Sequence, residues 1–216
     1  MNSKLIKMIA EGEHQRQDFK YCINDSRKIA RSMVAFANTE GGRLLLGIRD
    51  NGSVAGVQSD EEYYMAEAAA KLYSKPPINF QTHQWLIEGK TVLEINIQKS
   101  DEIPHYAQNE DSKWLVYIRK EDQNILAPGI LLKIWEQQKN LQGVHIRFTE
   151  EEKRLLSLIE SGQNLSLNQF LRQAKLPHWK GEKLLVKLIV VGVVGMEITE
   201  TRTRFYLRDD FDFPLS

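Results

Sequence analysis

The 216-residue sequence lacks most of the features that mark secreted, membrane-spanning or disulfide-stabilised proteins. Its single cysteine, Cys22, cannot form an internal disulfide, so a reducing cytoplasm is the expected location. The start of the chain, MNSKLIKMIAEGE, is too charged for a signal peptide. The longest apolar run, LIVVGVVGM, falls well short of the roughly 20 residues that a membrane span needs, so no membrane partner is expected.

The sequence also lacks an excess of charge and the short motifs of several enzyme classes. Lysine and arginine together number 29, as do aspartate and glutamate, so the formal net charge is zero. The strongly basic character of many nucleic-acid-binding proteins is therefore missing, although a net charge of zero is compatible with local basic patches. None of the five histidines pairs with another at the spacing of metal ligands. The sequence contains no P-loop, nucleophile elbow or dinucleotide-binding fingerprint.

A helix, a strand and a turn are predicted in the stretch FANTEGGRLLLGIRDNGSVAG. Apolar residues at helical spacing precede Gly41-Gly42, and glycine commonly follows a helix C-terminus. The nearly continuous apolar run of residues 43–49 predicts a strand at the centre of a sheet. Asp50-Asn51-Gly52 predicts a hairpin turn, because asparagine and glycine tolerate positive φ angles. Further helices and strands up to residue 138 make the expected fold class α+β.

A second pattern follows the polar stretch QQKNLQG at 137–143, which is predicted to be a linker. Three helices followed by two short strands with a polar tip are typical of a small winged helix-turn-helix domain. The predicted helices span residues 148–161, 166–175 and 179–191, and the predicted strands span residues 192–196 and 204–208. We therefore predict two domains, 1–140 and 141–216.

Basic residues in this second domain are candidate nucleic-acid contacts. They are Lys180, Lys183 and Lys187 on the third helix, and Arg202 and Arg204 on the strand pair. The three lysines fall at i, i+3 and i+7 and share one helix face, which in this motif enters the major groove of DNA. A solvated surface is the alternative interpretation of such a lysine face. Trp179, at the start of the helix, is expected to anchor the core, and a base-stacking platform is the alternative interpretation.

Four segments carry a resemblance to a known family: GEHQRQDFK at 12–20, AFANTEGGRLLLGIRDNGSVAGV at 35–57, SKPPI at 74–78 and, more weakly, YIRKEDQNILA at 117–127. They make residues 5–137 similar to the Schlafen AlbA-like domain, which is often described as DNA-binding. The central segment is the most specific, with Ala-Asn-Thr before two glycines, a strand and then Gly-x-x-Asp. The resemblance implies a mixed β-sheet with flanking helices and a link to nucleic acids.

The resemblance also implies an acidic trio, which some animal Schlafens use to cleave structured RNA. On this sequence the trio falls at Glu13, Asp18 and Asp50, with Asp18 at a position where glutamate is usual. Three converging carboxylates would bind Mg²⁺ or Mn²⁺, and such an ion would activate water at a phosphodiester. Alternatively, Asp50 only opens the turn, while Glu13 and Asp18 are solvated.

Three basic residues of the first domain are candidate phosphate contacts. Lys20 lies two residues after Asp18 and could stabilise the same phosphate, and Arg43 flanks the predicted sheet. Arg119 matches the arginine of the family's Tyr-x-Arg motif, which makes it the stronger candidate of the two arginines.

These features leave three functions open. The first is a bacterial-type DNA-binding transcriptional regulator, and such regulators often form homodimers that match two half-sites. The second is an endoribonuclease that uses Glu13, Asp18 and Asp50 with Mg²⁺ or Mn²⁺, whereas the other two functions need no cofactor. The third is a protein-interaction module that binds neither DNA nor RNA.

Overall fold

A computed structural model describes residues 3–57, 60–139, 149–161 and 165–208. The chain divides into two compact units, Met1–Ala127 and Pro128–Ser216. The described residues form seven helices and twelve strands, which confirms the predicted α+β class. Every helix within these ranges falls short of the length and hydrophobicity that crossing a membrane requires.

The first unit contains three helices around a mixed sheet. Its helices are α1 (Ser3–Glu11), α2 (Ser26–Ala37) and α3 (Glu61–Lys71). Its strands are β1 (Gln17–Lys20), β2 (Gly42–Leu46), β3 (Ser74–Lys75), β4 (Phe80–Ile87), β5 (Lys90–Ile97), β6 (Tyr106–Gln108), β7 (Trp114–Leu115), β8 (Tyr117–Lys120) and β9 (Gln123–Leu126). The main sheet has the order β1-β2-β5-β4, with β1 parallel to β2 and the other pairs antiparallel.

Strand β2 is central in this sheet, as its apolar sequence predicts. Leu44 and Leu46 pack in the cluster formed with α2 and α3. Leu45 points to the other face and packs with Leu5 and Met8 of α1. Successive side chains of a strand alternate between the two faces of a sheet, so a strand covered on both faces needs apolar residues throughout.

Helix α2 begins after Asp25, whose side chain accepts a hydrogen bond from the Arg27 backbone N–H. The helix ends at Ala37, before the two glycines that were predicted to end it. Gly41 has a φ of 72°, and a Cβ atom there would lie 2.8 Å from the carbonyl oxygen of Ile97. Glycine is therefore required for the close approach between this turn and β5.

The turn predicted at Asp50-Asn51-Gly52 is present. The backbone N–H of Arg49 donates to the carbonyl of Ser53 across it. Beyond the turn, the two chain segments form a single β-bridge, between Ile48 and Val54, rather than a long hairpin.

The second unit contains four helices and a small antiparallel sheet in its described residues. Its helices are α4 (Gly129–Lys139), α5 (Glu150–Ser161), α6 (Leu167–Ala174) and α7 (His178–Val190), and its strands are β10 (Leu165–Ser166), β11 (Val194–Ile198) and β12 (Thr203–Leu207). The strand order is β10-β12-β11. The three helices and the strand pair predicted for this segment are thus all present, with an additional short strand, β10, before α6.

Helix α4 belongs to the second unit, although the predicted boundary at 140/141 places it in the first. Its side chains Ile130 and Ile134 are buried in the same cluster as Leu185 of α7, so the helix contributes to the core of the second unit. The predicted linker at 137–143 begins inside α4, and its residues from 140 onward lie outside the described residues. Independent folding of the two units stays a prediction.

Candidate nucleic-acid interface

The carboxyl groups of Glu13 and Asp18 lie together at the beginning of the main sheet. Oε1 of Glu13 accepts a hydrogen bond of 2.8 Å from the Phe19 backbone N–H. Burial raises the pKa of Glu13, and the hydrogen bond between its side chain and Asp18 raises it further. The opposing effects of the Phe19 N–H and Lys20 are smaller, so the net pKa is raised. Glu13 therefore holds a proton more tightly than a solvated glutamate would.

Asp18 is buried and satisfied by side chains of the first unit. Lys20 Nζ lies 2.9 Å from its Oδ2 atom, and the Ser32 hydroxyl donates to the same oxygen over 3.3 Å. The Arg119 guanidinium lies 3.6 Å from Oδ1. Two cations and a hydroxyl therefore already surround the carboxylate, which leaves Lys20 only partly available for a phosphate.

The three carboxylates of the predicted trio differ in their surroundings. In the described parts of the chain, all three predicted carboxylates included, no three acidic, histidine or cysteine side chains form a group that could hold a metal ion. Asp18 lies opposite Leu44 in the sheet and faces Ser32 of α2. Asp50 is exposed in the turn after β2, and its convergence with the other two carboxylates around one ion stays a prediction.

Arg119 is part of the core rather than a phosphate contact. Its side chain is 2% exposed. Its guanidinium donates to the carbonyls of His14 and Gln17 and to the side chain of Asn124, and it lies 5.1 Å from the ring centroid of Phe36. These contacts join β8 and β9 to the entry of β1. Arg119 was expected to contact phosphate because it matches the family's Tyr-x-Arg motif, and a motif match gives no information about burial.

Arg43 is also engaged inside the first unit. Its Nε atom donates to the Gln17 side chain over 2.7 Å, and its NH2 group lies 3.1 Å from a carboxylate oxygen of Glu11. Arg43 therefore ties β2 to the end of α1. A contact between Arg43 and a phosphate stays a prediction, and it would compete with the ion pair.

Exposed basic residues on α2 were missed by the sequence reasoning. Lys28 and Arg31 are exposed, and with Arg27 they line an open groove of about 240 Å³. The Arg31 guanidinium lies 5.9 Å from the ring centroid of Tyr117, and two acidic residues, Glu110 and Asp111, line the opposite side. The sequence could have indicated their exposure, because these basic residues lie outside the apolar face of an amphipathic helix.

The structure also assigns a role to the Ala-Asn-Thr motif. The Asn38 side-chain amide donates to the carbonyls of His105 and Tyr117, both over 2.9 Å. Its carbonyl oxygen accepts from the His105 backbone N–H over 2.8 Å. Asn38 thus connects the end of α2 to β8 and the loop before β6, which is a structural role.

In the second unit, the three predicted lysines of α7 differ in their surroundings. Lys183 is exposed and Lys180 is half-buried. Lys187 Nζ lies 2.6 Å from Oε1 of Glu152, whose side chain is almost entirely buried. Lys187 therefore neutralises a charge inside the unit, and Lys183 is the lysine best placed to meet a partner in solvent.

The predicted arginines lie on the strand pair β11–β12. Backbone and side-chain hydrogen bonds between Thr199 and Arg202 close its tip, where Arg202 is exposed. Arg204 is half-buried within β12 and pairs with Glu197 in the register of the strands. Arg202 is thus the more accessible of the two arginines.

Trp179 does not anchor the core, contrary to the expectation from the sequence. It is 67% exposed in the first turn of α7. On the opposite face of α7, Gly181, Leu185 and Leu188 make the contacts with the core instead. A tryptophan next to a helix start does not reveal its face until the register of the helix against the core is known.

Comparisons with known proteins identify the first unit. The sequence profile of the family described as Schlafen, AlbA_2 matches residues 13–128, which is more than half of the 216-residue chain. No curated protein matches the sequence.

Two solved structures show a partial likeness. The DIP2311 protein of Corynebacterium diphtheriae has 17% identity and a TM-score of 0.45, with 74% of this chain and 38% of that protein covered. The N-terminal domain of a Nitrosomonas europaea protein described as related to the ATP-dependent DNA helicase RecG has 20% identity and a TM-score of 0.40, with 60% of this chain and 97% of that domain covered. This chain thus spans well under half of the Corynebacterium protein.

The family assignment agrees with the mixed sheet, the flanking helices and the Asn38 motif of the first unit, and it suggests nucleic-acid binding. The chain belongs to the Schlafen AlbA_2 family.

Proposed function

We propose that this protein binds nucleic acid as a bacterial-type DNA-binding transcriptional regulator, with the second unit as its duplex-contacting module. The observation that carries the proposal is the arrangement of α6, α7 and the strand pair β11–β12, with Lys183 exposed on α7 and Arg202 exposed at the tip. In a winged helix-turn-helix, the second helix of the motif enters the major groove and the strand pair contacts the backbone.

Family membership of the first unit supports the same proposal. Lys28 and Arg31 on α2 give that unit an exposed basic surface. Glu110 and Asp111 line the same groove and reduce its positive charge. The formal net charge of zero is compatible with local patches, because affinity depends on the charges near the phosphates. A homodimer and a cytoplasmic location belong to the proposal as well.

A binding measurement over a range of salt concentrations tests this function. Fluorescence anisotropy with a 30-base-pair duplex and with tRNA, each with and without Mn²⁺, would report both affinity and cleavage. The proposal predicts duplex binding that weakens linearly in log[salt] and no cleavage. Lack of binding to either nucleic acid would favour a protein-interaction module. Metal-dependent RNA cleavage stays a prediction of the family resemblance.

A further inference from the structure

An exposed tryptophan on α7 lies beside an open groove. Trp179 is 67% exposed, compared with 39% for Trp114 in the first unit. Tryptophan is usually largely buried because its ring presents a large apolar area to water. The exposed indole ring of Trp179 therefore offers a surface suited to a flat, apolar part of a ligand.

The groove beside Trp179 has a volume of about 360 Å³ and lies between α4 and α7 of the second unit. From α7 it is lined by Trp179, Glu182, Lys183 and Val186, and from α4 by Lys133, Glu136 and Gln137. An ion pair between Lys133 and Glu182 joins the two helices. The volume falls within the range of about 300–1,000 Å³ that small-ligand pockets occupy.

The chemistry of the groove matches a nucleobase. The exposed indole of Trp179 offers apolar surface, whereas Val186 is buried in the core, and Gln137 offers an amide that can both donate and accept hydrogen bonds. Lys183 follows Trp179 by four residues, so both lie on the same side of α7, and its exposed ammonium can meet a phosphate. A stacked base with its phosphate would meet Trp179, Gln137 and Lys183, while the groove also contains Glu136 and Glu182, the latter paired with Lys133.

We propose that Trp179 stacks on an unpaired base and that this groove is a subsite for single-stranded nucleic acid. The inference rests on the proposed nucleic-acid-binding function and deepens it. A base inside a duplex has both faces covered by its neighbours, so its stacking on Trp179 requires an unpaired or extruded nucleotide. Stacking accepts every base because each has a π-face, so little sequence preference is expected at this subsite.

The test compares wild type, Trp179→Ala and Trp179→Phe in binding to a labelled (dT)15 strand and to a hairpin duplex whose ends are closed. Trp179→Ala should lower affinity for the single strand by about 5- to 150-fold, the effect of losing one stacked base. Trp179→Phe, which keeps an aromatic ring, should recover most of that loss. Duplex affinity should fall by less than single-strand affinity, because Trp179 lies beside the proposed duplex contact Lys183 but stacks only on an unpaired base. Trp114→Ala is the matched control, because it removes an exposed tryptophan from the first unit.

Equal loss of single-strand and duplex affinity in Trp179→Ala would overturn the inference, since it would indicate a general contact. Unchanged single-strand affinity would also overturn it and would leave the groove to a protein partner. In both results wild type still binds, so the proposed function survives. Failure of wild type to bind either ligand would instead remove the proposed function and this inference together. Thermal unfolding of each variant checks that the fold is retained.

Discussion

Lys187 Nζ lies 2.6 Å from Oε1 of Glu152, and this pair connects α7 to the beginning of α5. Glu152 also accepts a hydrogen bond of 2.7 Å from the backbone N–H of Thr149, as expected of a capping box. Burial pushes the pKa of Glu152 upward, but the hydrogen bonds from Lys187 and Thr149 outweigh it, so the pKa is lowered. The pair is therefore a structural element of the second unit.

Lys187→Ala should destabilise the second unit. The variant leaves the buried Glu152 carboxylate without its cation, which in fully buried pairs costs about 3–5 kcal/mol. Because the Lys187 side chain is 30% exposed, we expect a smaller loss of about 2 kcal/mol in urea unfolding. Lys183→Ala is the matched control, and it should leave the unfolding free energy nearly unchanged. Equal stabilities of the two variants would contradict the assignment of Lys187.

The pH dependence of the same pair has a defined sign. Because the folded pKa of Glu152 is lowered, its contribution to stability is present above the unfolded pKa and is lost as pH falls through the folded pKa. The stability difference between wild type and Lys187→Ala should therefore shrink in acid. A difference that stays constant down to strongly acidic pH would argue against an ionised Glu152.

Glu13→Gln should stabilise the first unit at neutral pH. The folded pKa of Glu13 is raised, so its favourable contribution is present below the unfolded pKa and is lost as pH rises through the folded pKa. Glutamine keeps the acceptor for the Phe19 N–H but carries no charge beside Asp18. The unfolding free energy of wild type minus that of the variant should decrease between about pH 4.3, the unperturbed value, and neutral pH. A pH-independent difference would contradict a raised pKa.

Arg119→Met should destabilise the first unit without a specific effect on nucleic-acid binding. The substitution removes a buried cation together with its hydrogen bonds to His14, Gln17 and Asn124. A loss of about 3 kcal/mol in denaturant unfolding is expected. Lys120→Ala, at the next and half-buried position, serves as the control and should have a small effect. Normal stability with weakened binding would instead restore Arg119 as a phosphate contact.

Addition of Mn²⁺ tests whether the protein has the metal site that the family resemblance implies. If Glu13, Asp18 and Asp50 shared an ion, millimolar Mn²⁺ would raise the melting temperature by mass action, and Asp50→Asn would abolish the shift. Because the described residues contain no group of three acidic, histidine or cysteine side chains that could hold a metal ion, we expect no shift in either protein. A shift that disappears in Asp50→Asn would show that these side chains converge around a metal ion.

Local patterns in the sequence predicted much of the fold. The apolar run of β2 predicted a strand at the centre of a sheet, and the helix predicted over 148–161 corresponds to α5. Such features depend on neighbours in the chain, so spacing and capping rules capture them. The packing of α4 on α7 depends on which apolar face finds a partner, and the boundary predicted at 140/141 did not anticipate this contact.

The candidate site was less predictable because charge alone does not show whether a side chain is buried. Arg119 and Lys187 looked like surface cations in sequence, yet each serves a buried carboxylate far away in the chain. Trp179 looked like a core residue, yet the register of α7 directs it to solvent. These outcomes depend on tertiary contacts between distant residues, which periodicity within one helix cannot specify.

The salt dependence of duplex binding by Lys183→Ala/Arg202→Ala is the most direct test of the claim that α7 and the strand pair contact nucleic acid. Both side chains are exposed, so the double variant should fold normally. Each lost phosphate contact removes about 0.9 from the slope of log K against log[salt], so the slope should become shallower by about 1.8. The exposed Lys153→Ala on α5 should keep the wild-type slope. A slope for the double variant equal to that of wild type would contradict the account.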